Sequence, residues 1–428
     1  MLKNHIGFTF LFLNLFFEFI SEINILTHSL FTKENCNGDS MSGQVVQPTS
    51  QYAEPQIVIN TRLQREEQHL PVKMNMRKYA WYVFRQFFEY NHRYTRLSTL
   101  PQIGEIEPTD NCNLRCRFCS REAIEKHRGL GFMPLNKFKY IVETYSEHLI
   151  SPVLAMHGEP TVHPDLPRMI KLVKDHNAHS ICIKTNGTLI DEDLFMKLVD
   201  AGLDGMEISF EGTDKTNYEY QRSGAKFDVT KKNILRMCEL KTRYQLPIDL
   251  AINIIDNSIT HDGLPEFIAY WSKVPGLNRV DTAKIIDWVG TLDKSRFKEL
   301  VREETYSHPF SKFNVCPIAW FKVGIDYNGW VVPCCHWLAE PMGNIFEEPL
   351  EAIWNGPKYI ALRKLMLKEG RHAHDYCAKC WDGSERTDSP YFHRPNRAFP
   401  FTRRFSRNVK IFMRWSKQKQ YAPMRGVP

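Results

Sequence analysis

Three cysteines fall within eight residues, in the order Glu107-Pro-Thr-Asp-Asn-Cys112-Asn-Leu-Arg-Cys116-Arg-Phe-Cys119. Thiols at that spacing converge on one site only if the chain wraps into a loop. Three cysteine ligands on a four-iron cubane leave one iron without a protein ligand, open to chelation by a small molecule. A structural zinc site would ordinarily take four protein ligands from paired C-x2-C units, and no fourth ligand lies nearby. A second group follows far downstream: Cys316, the neighbours Cys334 and Cys335, and the pair Cys377-Ala-Lys-Cys380. Four thiols there would close the coordination of a cluster or of a zinc ion. On a strand, neighbouring side chains point to opposite faces, so only one of Cys334 and Cys335 can ligate.

These residues need a scaffold. Apolar runs and their periodicity predict strands over 103–107, 153–156, 180–184, 205–209, 248–255 and 280–286. Helical patterns lie between them, over 135–147, 165–176, 190–201, 227–244 and 264–273. A further helix over 76–96 is expected to lead in and pack on the main domain. Such alternation predicts an α/β fold with a parallel sheet and right-handed crossovers. Chemistry in such folds sits in the loops after the strands' C-terminal ends. The first cysteine group follows strand one. Strand two ends in Met156-His157-Gly158-Glu159-Pro160, strand three in Lys184-Thr185-Asn186-Gly187, and strand four in Ser209-Phe210-Glu211-Gly212. Taken singly, the Asn-Gly and Glu-Gly pairs are also ordinary turn chemistry.

The C-x3-C-x2-C spacing, with Phe118 before the last cysteine, resembles the radical S-adenosylmethionine (radical SAM) superfamily. Gly158-Glu159-Pro160 is similar to that family's Gly-Gly-Glu-Pro, with His157 in place of the first glycine. Ser209-Phe-Glu211-Gly212 is similar to Ser-x-Asp-Gly, with Glu for Asp. The resemblance implies a partial (β/α)6 TIM-like barrel over 101–290, with Cys112, Cys116 and Cys119 holding a [4Fe-4S] cluster. S-adenosylmethionine would chelate the open iron and be cleaved reductively to methionine and a 5′-deoxyadenosyl radical that abstracts hydrogen from substrate. On that reading Gly158, Glu159 and Pro160 face the cofactor's ammonium group. Asn186 and Glu211 belong to the cofactor site, Ser209 contacts ribose or carboxylate, and Arg222 clamps the methionine carboxylate.

Beyond Gly290 the alternation stops, and a small Cys- and Trp-rich domain is expected over 291–385. Cys316, the Pro333-Cys334 hairpin end, Gly343-Asn344-Ile345, Leu350-Glu-Ala-Ile-Trp354 and Cys377-x2-Cys380 resemble the SPASM or shorter twitch extension of the same family. Carried over, that makes Cys316, Cys334, Cys377 and Cys380 the ligands of one auxiliary [4Fe-4S] cluster. No cysteine lies between Cys335 and Cys377 for a second.

The chain has 428 residues, 43% hydrophobic and 25% charged, ordinary values for globular domains. Seven of its eleven cysteines are closely spaced, Cys112/Cys116/Cys119, Cys334/Cys335 and Cys377/Cys380, which suits metal binding better than a disulfide framework. The net charge of +7 is uneven: residues 391–428 hold ten basic residues and no acid, so the rest carries 7 − 10 = −3. The 386–428 tail that contains this run, with Phe405, Ile411, Phe412 and Trp415 interleaved, could meet nucleic acid, membrane lipid or an acidic substrate, or be a solvated or packed extension. Residues 7–20 form an apolar run resembling a signal peptide or short anchor, interrupted by Asn14 and Glu18. An exported radical enzyme would be separated from low-potential electrons. Translation is therefore expected to start at Met41 or Met74, residues 1–75 to be a disordered or mis-called leader, and the protein to be cytoplasmic.

The resemblance also bounds the reaction. An auxiliary cluster beside a radical site favours net oxidation, with a low-potential donor such as flavodoxin or ferredoxin as partner. The expected substrate is a small polar molecule like a sugar, cyclitol or nucleoside; the alternative is a residue of a ribosomally made peptide. Residues 1–100 show no strand pattern of a peptide-recognition domain. A non-enzymatic zinc- and nucleic-acid-binding protein would predict loss of the cofactor motifs, which are present. At the end of strand six, Asp287 or Lys284 is the expected catalytic proton acceptor and Trp288 a pocket wall; a capping Asp and a core Trp are the alternatives.

Overall fold

The computed structural model describes residues 76–285, 298–300, 315–335, 337, 339–370, 374 and 377. Asp287, Trp288, Cys380, the 1–75 leader and the 386–428 tail therefore lie outside the described residues. The chain divides into two compact units, Met1–Tyr82 and Val83–Pro428. The described part of the first is the opening of helix α1 (Met76–Asn91). The sheet and the site belong to the second.

Six parallel strands form the centre of the second unit: β1 (Gln102–Ile106), β3 (Val153–Leu154), β4 (Cys182–Thr185), β5 (Gly205–Ser209), β7 (Asp249–Asp256) and β8 (Arg279–Lys284), adjacent in that order. Helices connect them. These are α3 (Leu135–Tyr145), α4 (Leu166–Asp175), α5 (Glu192–Asp200), α7 (Phe227–Arg243) and α8 (Leu264–Trp271). The α/β class and the six-strand parallel run are as the sequence predicts. The helices form because each carries one apolar stripe. On α4, Leu166, Met169, Ile170 and Val173 recur at i, i+3, i+4 and i+7 and are all buried. Each such side chain contributes about 1.5–3 kcal/mol on burial. Asp191 starts α5 by accepting the Leu194 N–H at 2.8 Å, supplying one of the partners a helix N-terminus lacks.

Strand alternation sorts side chains between two faces. Met206 and Ile208 of β5 enter the hydrophobic core, whereas Glu207 and Ser209 take the opposite face. Register places Lys184 beside Glu207, Ser209 beside Asn253, and Ile255 beside Ala283 on that inner face.

Three features were not legible in the pattern. β3 is only two residues long, because the chain after Leu154 turns away to dock on the cysteine loop. Two short polar helices, α2 (Arg121–Arg128) and α6 (Lys215–Gln221), lack an apolar stripe that would announce them. The C-terminal cysteine-rich segment also joins the barrel sheet. After the single-turn α9 (Ile318–Phe321), β9 (Lys322–Ile325) pairs parallel with β1, and β10 (Trp330–Val332) and β11 (Gly343–Asn344) follow antiparallel. Lys322 Nζ meets Glu105 Oε1 at 2.7 Å across that junction. Helices α10 (Leu350–Trp354) and α11 (Pro357–Glu369) complete the segment. Among the described residues no helix is long and apolar enough to cross a membrane.

Candidate functional site

The cysteine loop is held against the strand ends by close backbone contact. A Cβ on Gly158 would come within 2.1 Å of the Thr109 carbonyl oxygen and 2.6 Å of Asp110 Cα, so only glycine lets the loop approach. The next amide, Glu159 N–H, donates to Asn111 O at 2.8 Å. Asp110 Oδ1 accepts from Gly131 N at 2.8 Å, fixing the loop from its other side. The Cys119 N–H donates to Cys116 O at 3.2 Å, the tight turn that brings those two thiols to one side.

A two-stranded ladder completes the arrangement. β2 (Arg115–Cys116) pairs antiparallel with β6 (Arg222–Ser223), setting Cys116 opposite Arg222. The Arg222 guanidinium forms a two-point pair with buried Glu211, from Nη2 to Oε1 at 3.0 Å and from Nε to Oε2, and directs Nη1 at Cys116 Sγ, 3.7 Å away. Burial opposes the Arg222 charge, but Glu211 outweighs it and raises the guanidinium's affinity for its proton. Burial pushes the Cys116 thiol up to about 12, with Arg222 pulling the other way.

Donors face the Cys112 sulfur as well. Leu114 N lies 3.4 Å and Asn186 Nδ2 4.0 Å from Cys112 Sγ. Arg121 and Arg115 both donate to the Cys112 carbonyl, at 2.8 and 3.0 Å. N–H groups aimed at thiol sulfurs are what thiolate ligands of a negatively charged cluster require. Among the described residues, no three His, Cys, Asp or Glu side chains close on a single ion. Three thiols with N–H groups aimed at the sulfurs of Cys112 and Cys116 suit a cluster's thiolates.

One cavity of about 280 Å3 contains the triad and the strand-end motifs together, bounded also by Gly158, Ser209 and Arg222. Glu159 borders it, but its carboxylate is occupied. Oε1 accepts from Thr161 N at 3.1 Å, Thr161 Oγ1 at 2.6 Å and Thr185 Oγ1 at 2.7 Å, and Oε2 from Asn186 N at 2.6 Å. Burial pushes this carboxyl above its usual range against those donors. Glu159 thus ties the end of β3 to the end of β4, and Pro160 opens the short 3-10 turn after it. Asn186 reaches Asn113 Oδ1 at 2.9 Å and accepts from Thr188 N at 3.0 Å.

The far wall of the cavity was missed in the sequence. Lys184 Nζ stands 3.2 Å from Glu207 Oε1, which also accepts from Asn253 Nδ2 at 3.0 Å. Burial works to raise the Glu207 carboxyl, but Lys184 and the Asn253 amide outweigh it and hold it ionised below its usual range. The Asn253 Oδ1 is buried with no partner among the described residues. The available signal was the polar Lys184, Glu207, Ser209 and Asn253 at inward positions of otherwise apolar strands.

In the C-terminal segment, Cys316, Cys334 and Cys377 all pack against the main hydrophobic core, and each is partly exposed. Near Cys334 the fully buried Tyr359 hydroxyl has no hydrogen-bond partner among the described residues, an orphan donor that fits an absent acceptor there. Lys284 ends β8.

Comparison with known proteins agrees with both halves. Residues 106–257 match the radical SAM superfamily, and residues 316–381 match SPASM, an iron-sulfur cluster-binding domain. These domains bring a SAM-binding [4Fe-4S] cluster and an auxiliary cluster. A probable GTP 3′,8-cyclase of Methanococcus maripaludis is 29% identical over 172 residues, 40% of this chain and 55% of that protein. The GTP 3′,8-cyclase of Chlorobaculum tepidum is 27% identical over 165 residues, 38% of this chain and 48% of that protein. The chain thus spans about half the length of these curated relatives. Streptococcus suis SuiB, bound to precursor peptide SuiA, superposes with a TM-score of 0.52 at 16% identity, over 86% of this chain and 84% of that one, a likeness of fold.

Proposed function

We propose, from the premise that this chain belongs to the radical SAM superfamily and carries a SPASM domain, that it oxidises a hydroxyl-bearing carbon of a small polar molecule. When bound, the first cluster supplies the electron that cleaves S-adenosylmethionine to methionine and the hydrogen-abstracting radical, and the auxiliary cluster supplies an acceptor for the electron that substrate gives up. Cys112, Cys116 and Cys119 hold the first; Cys316, Cys334, Cys377 and Cys380 hold the second. Oxidising a carbinol to a carbonyl removes one hydrogen atom, one proton and one electron. Lys284 at the end of β8 and Asp287 just beyond it are the candidates for taking the proton. Asn186, Ser209 and Gly158 line the place for the cofactor's polar groups, with Glu159 and the Arg222–Glu211 pair keeping those loops in position. A low-potential donor such as flavodoxin or ferredoxin reduces the first cluster.

The observation that carries the substrate class is the polar far wall. Lys184 offers a cationic donor and Asn253 Oδ1 a buried acceptor, both bordering the cavity that contains the triad. A donor and an acceptor on either side of Glu207 can together hold a polar molecule's hydroxyls, and a buried acceptor left unpaired selects against an apolar group by about 1–3 kcal/mol. The test is anaerobic reconstitution with iron and sulfide, followed by incubation with reductant, S-adenosylmethionine and perdeuterated sugars, nucleosides or short peptides. Deuterium should enter 5′-deoxyadenosine from a sugar or nucleoside. Transfer from peptides alone would overturn the small-molecule reading. Cys116→Ala should abolish 5′-deoxyadenosine, and Cys377→Ala should lower the iron count from about eight to about four, since each cubane holds four.

A further inference from the structure

Helix α11 presents two buried polar groups one turn apart, Tyr359 and Arg363, and both are fully buried. Arg363 Nε donates to Ala319 O at 2.9 Å, and Nη1 donates to Thr95 O and Trp354 O at 3.0 and 2.9 Å. Its Nη2 has no hydrogen-bond partner among the described residues, and the Glu89 carboxylate acts on the guanidinium through its charge. The guanidinium stacks 4.1 Å from the Trp354 ring centre and 5.1 Å from that of Tyr359. Trp354 and Tyr359 in turn meet edge to face, with centroids 4.7 Å apart. The phenol is thus clamped between an indole and a guanidinium held by three carbonyls, and its Oη ends without a partner among the described residues.

Leaving a buried hydroxyl unpaired costs about 1–3 kcal/mol, and an unmade guanidinium N–H adds to it. Two such groups in one turn of one helix call for an acceptor that the described residues do not supply. The Tyr359 hydroxyl is near enough to Cys334 for the two to interact electrostatically. Iron–sulfur clusters carry negative charge on their sulfurs, and hydrogen bonds to those sulfurs raise the reduction potential.

We infer that Tyr359 Oη donates a hydrogen bond to a sulfur of the auxiliary centre at Cys334, with the Arg363 charge behind the ring, and that this pair makes the centre a better electron acceptor. The assignment rests on the reading that Cys334 is a ligand of that centre. Tyr359 is then a positioning and tuning residue rather than a catalytic one. It bears on the reaction because a higher potential favours the transfer of the substrate's second electron.

The experiment uses the full chain with Cys112→Ala, Cys116→Ala and Cys119→Ala combined, leaving the auxiliary centre as the only cluster site. In this background Tyr359→Phe should keep its iron, about four per chain, and its reduction equilibrium in a spectroscopically monitored titration should shift about tenfold, 59 mV downward for one electron. An unchanged potential would sink the tuning role. A parent protein that holds no iron would instead sink the reading of the ligand set, a separate failure. Metal-free and loaded proteins are also melted side by side. The substitution should leave the metal-free protein as stable as its parent or more so, and weaken only the loaded one. Equal loss in both would place the hydroxyl's partner inside the polypeptide and overturn the proposal.

Discussion

Arg222 and Cys116 face each other across a two-residue antiparallel ladder, and Arg222 Nη1 stands 3.7 Å from Cys116 Sγ. The same guanidinium is locked onto Glu211, so its direction toward the thiol is set by a buried ion pair. Removing one partner of such a pair costs about 3–5 kcal/mol because the other is left charged and buried. Glu211→Gln and Arg222→Met should each lower the unfolding free energy of the metal-free protein by that order in urea titrations. The double variant should recover much of the loss. Both single variants should also retain less iron after reconstitution.

Gly158 is placed by contact rather than by flexibility. Its missing Cβ is the space through which Thr109 and Asp110 pass. Gly158→Ala should therefore force the cysteine loop off the end of β3 and cost about 1–3 kcal/mol or more. Calorimetry of the metal-free protein checks the stability, and iron analysis checks that the first cluster is the one lost.

His163, three residues past the Gly158-Glu159-Pro160 segment, is buried, with Nε2 donating to Met133 O at 3.0 Å and Nδ1 accepting from Asp165 N at 3.1 Å. Burial lowers its proton affinity below the ordinary 6.5, although the Met133 carbonyl and Asp165 pull the other way. The unfolded chain then binds the proton more readily than the folded one. Stability is fully present above pH 6.5 and is lost as pH falls from there through the lowered folded value. Melting temperatures between pH 7.5 and 5 should fall more steeply for the parent than for His163→Gln, whose side chain does not titrate.

Lys184 separates substrate recognition from cofactor cleavage. Losing a charged hydrogen bond to substrate costs about 1.5–3 kcal/mol, tenfold or more in rate. Lys184→Met should reduce deuterium transfer from substrate at least that far, while substrate-free formation of 5′-deoxyadenosine stays within about twofold. A parallel fall in both would reassign Lys184 to the cofactor.

The chemistry of the first cysteine group was legible because ligand type and spacing are local properties. Cys112, Cys116 and Cys119 lie on one short loop, and the six strands and five linking helices announce themselves through apolar period. The alternation of strands with helices likewise implied that the residues at the strands' C-terminal ends would meet. What the line of residues could not show is who sits beside whom. Glu159 was expected at the cofactor's ammonium group; in three dimensions two donors of Thr161 and two from the end of β4 occupy its carboxylate. Arg222 was expected as a carboxylate clamp, and the fold pairs it with Glu211, eleven residues away in sequence and buried with it.

Nor did the pattern show that the cysteine-rich segment extends the barrel sheet, because the pairing of β9 with β1 joins residues more than two hundred positions apart. Hydrogen-bond partners, desolvation and orphaned donors such as Tyr359 Oη are sums over such distant neighbours. The order of residues along the chain determined which chemistry this protein can begin. Tertiary packing alone decided which groups are spent on holding the site and which still face the cavity, since burial and pairing exist only once the chain has closed.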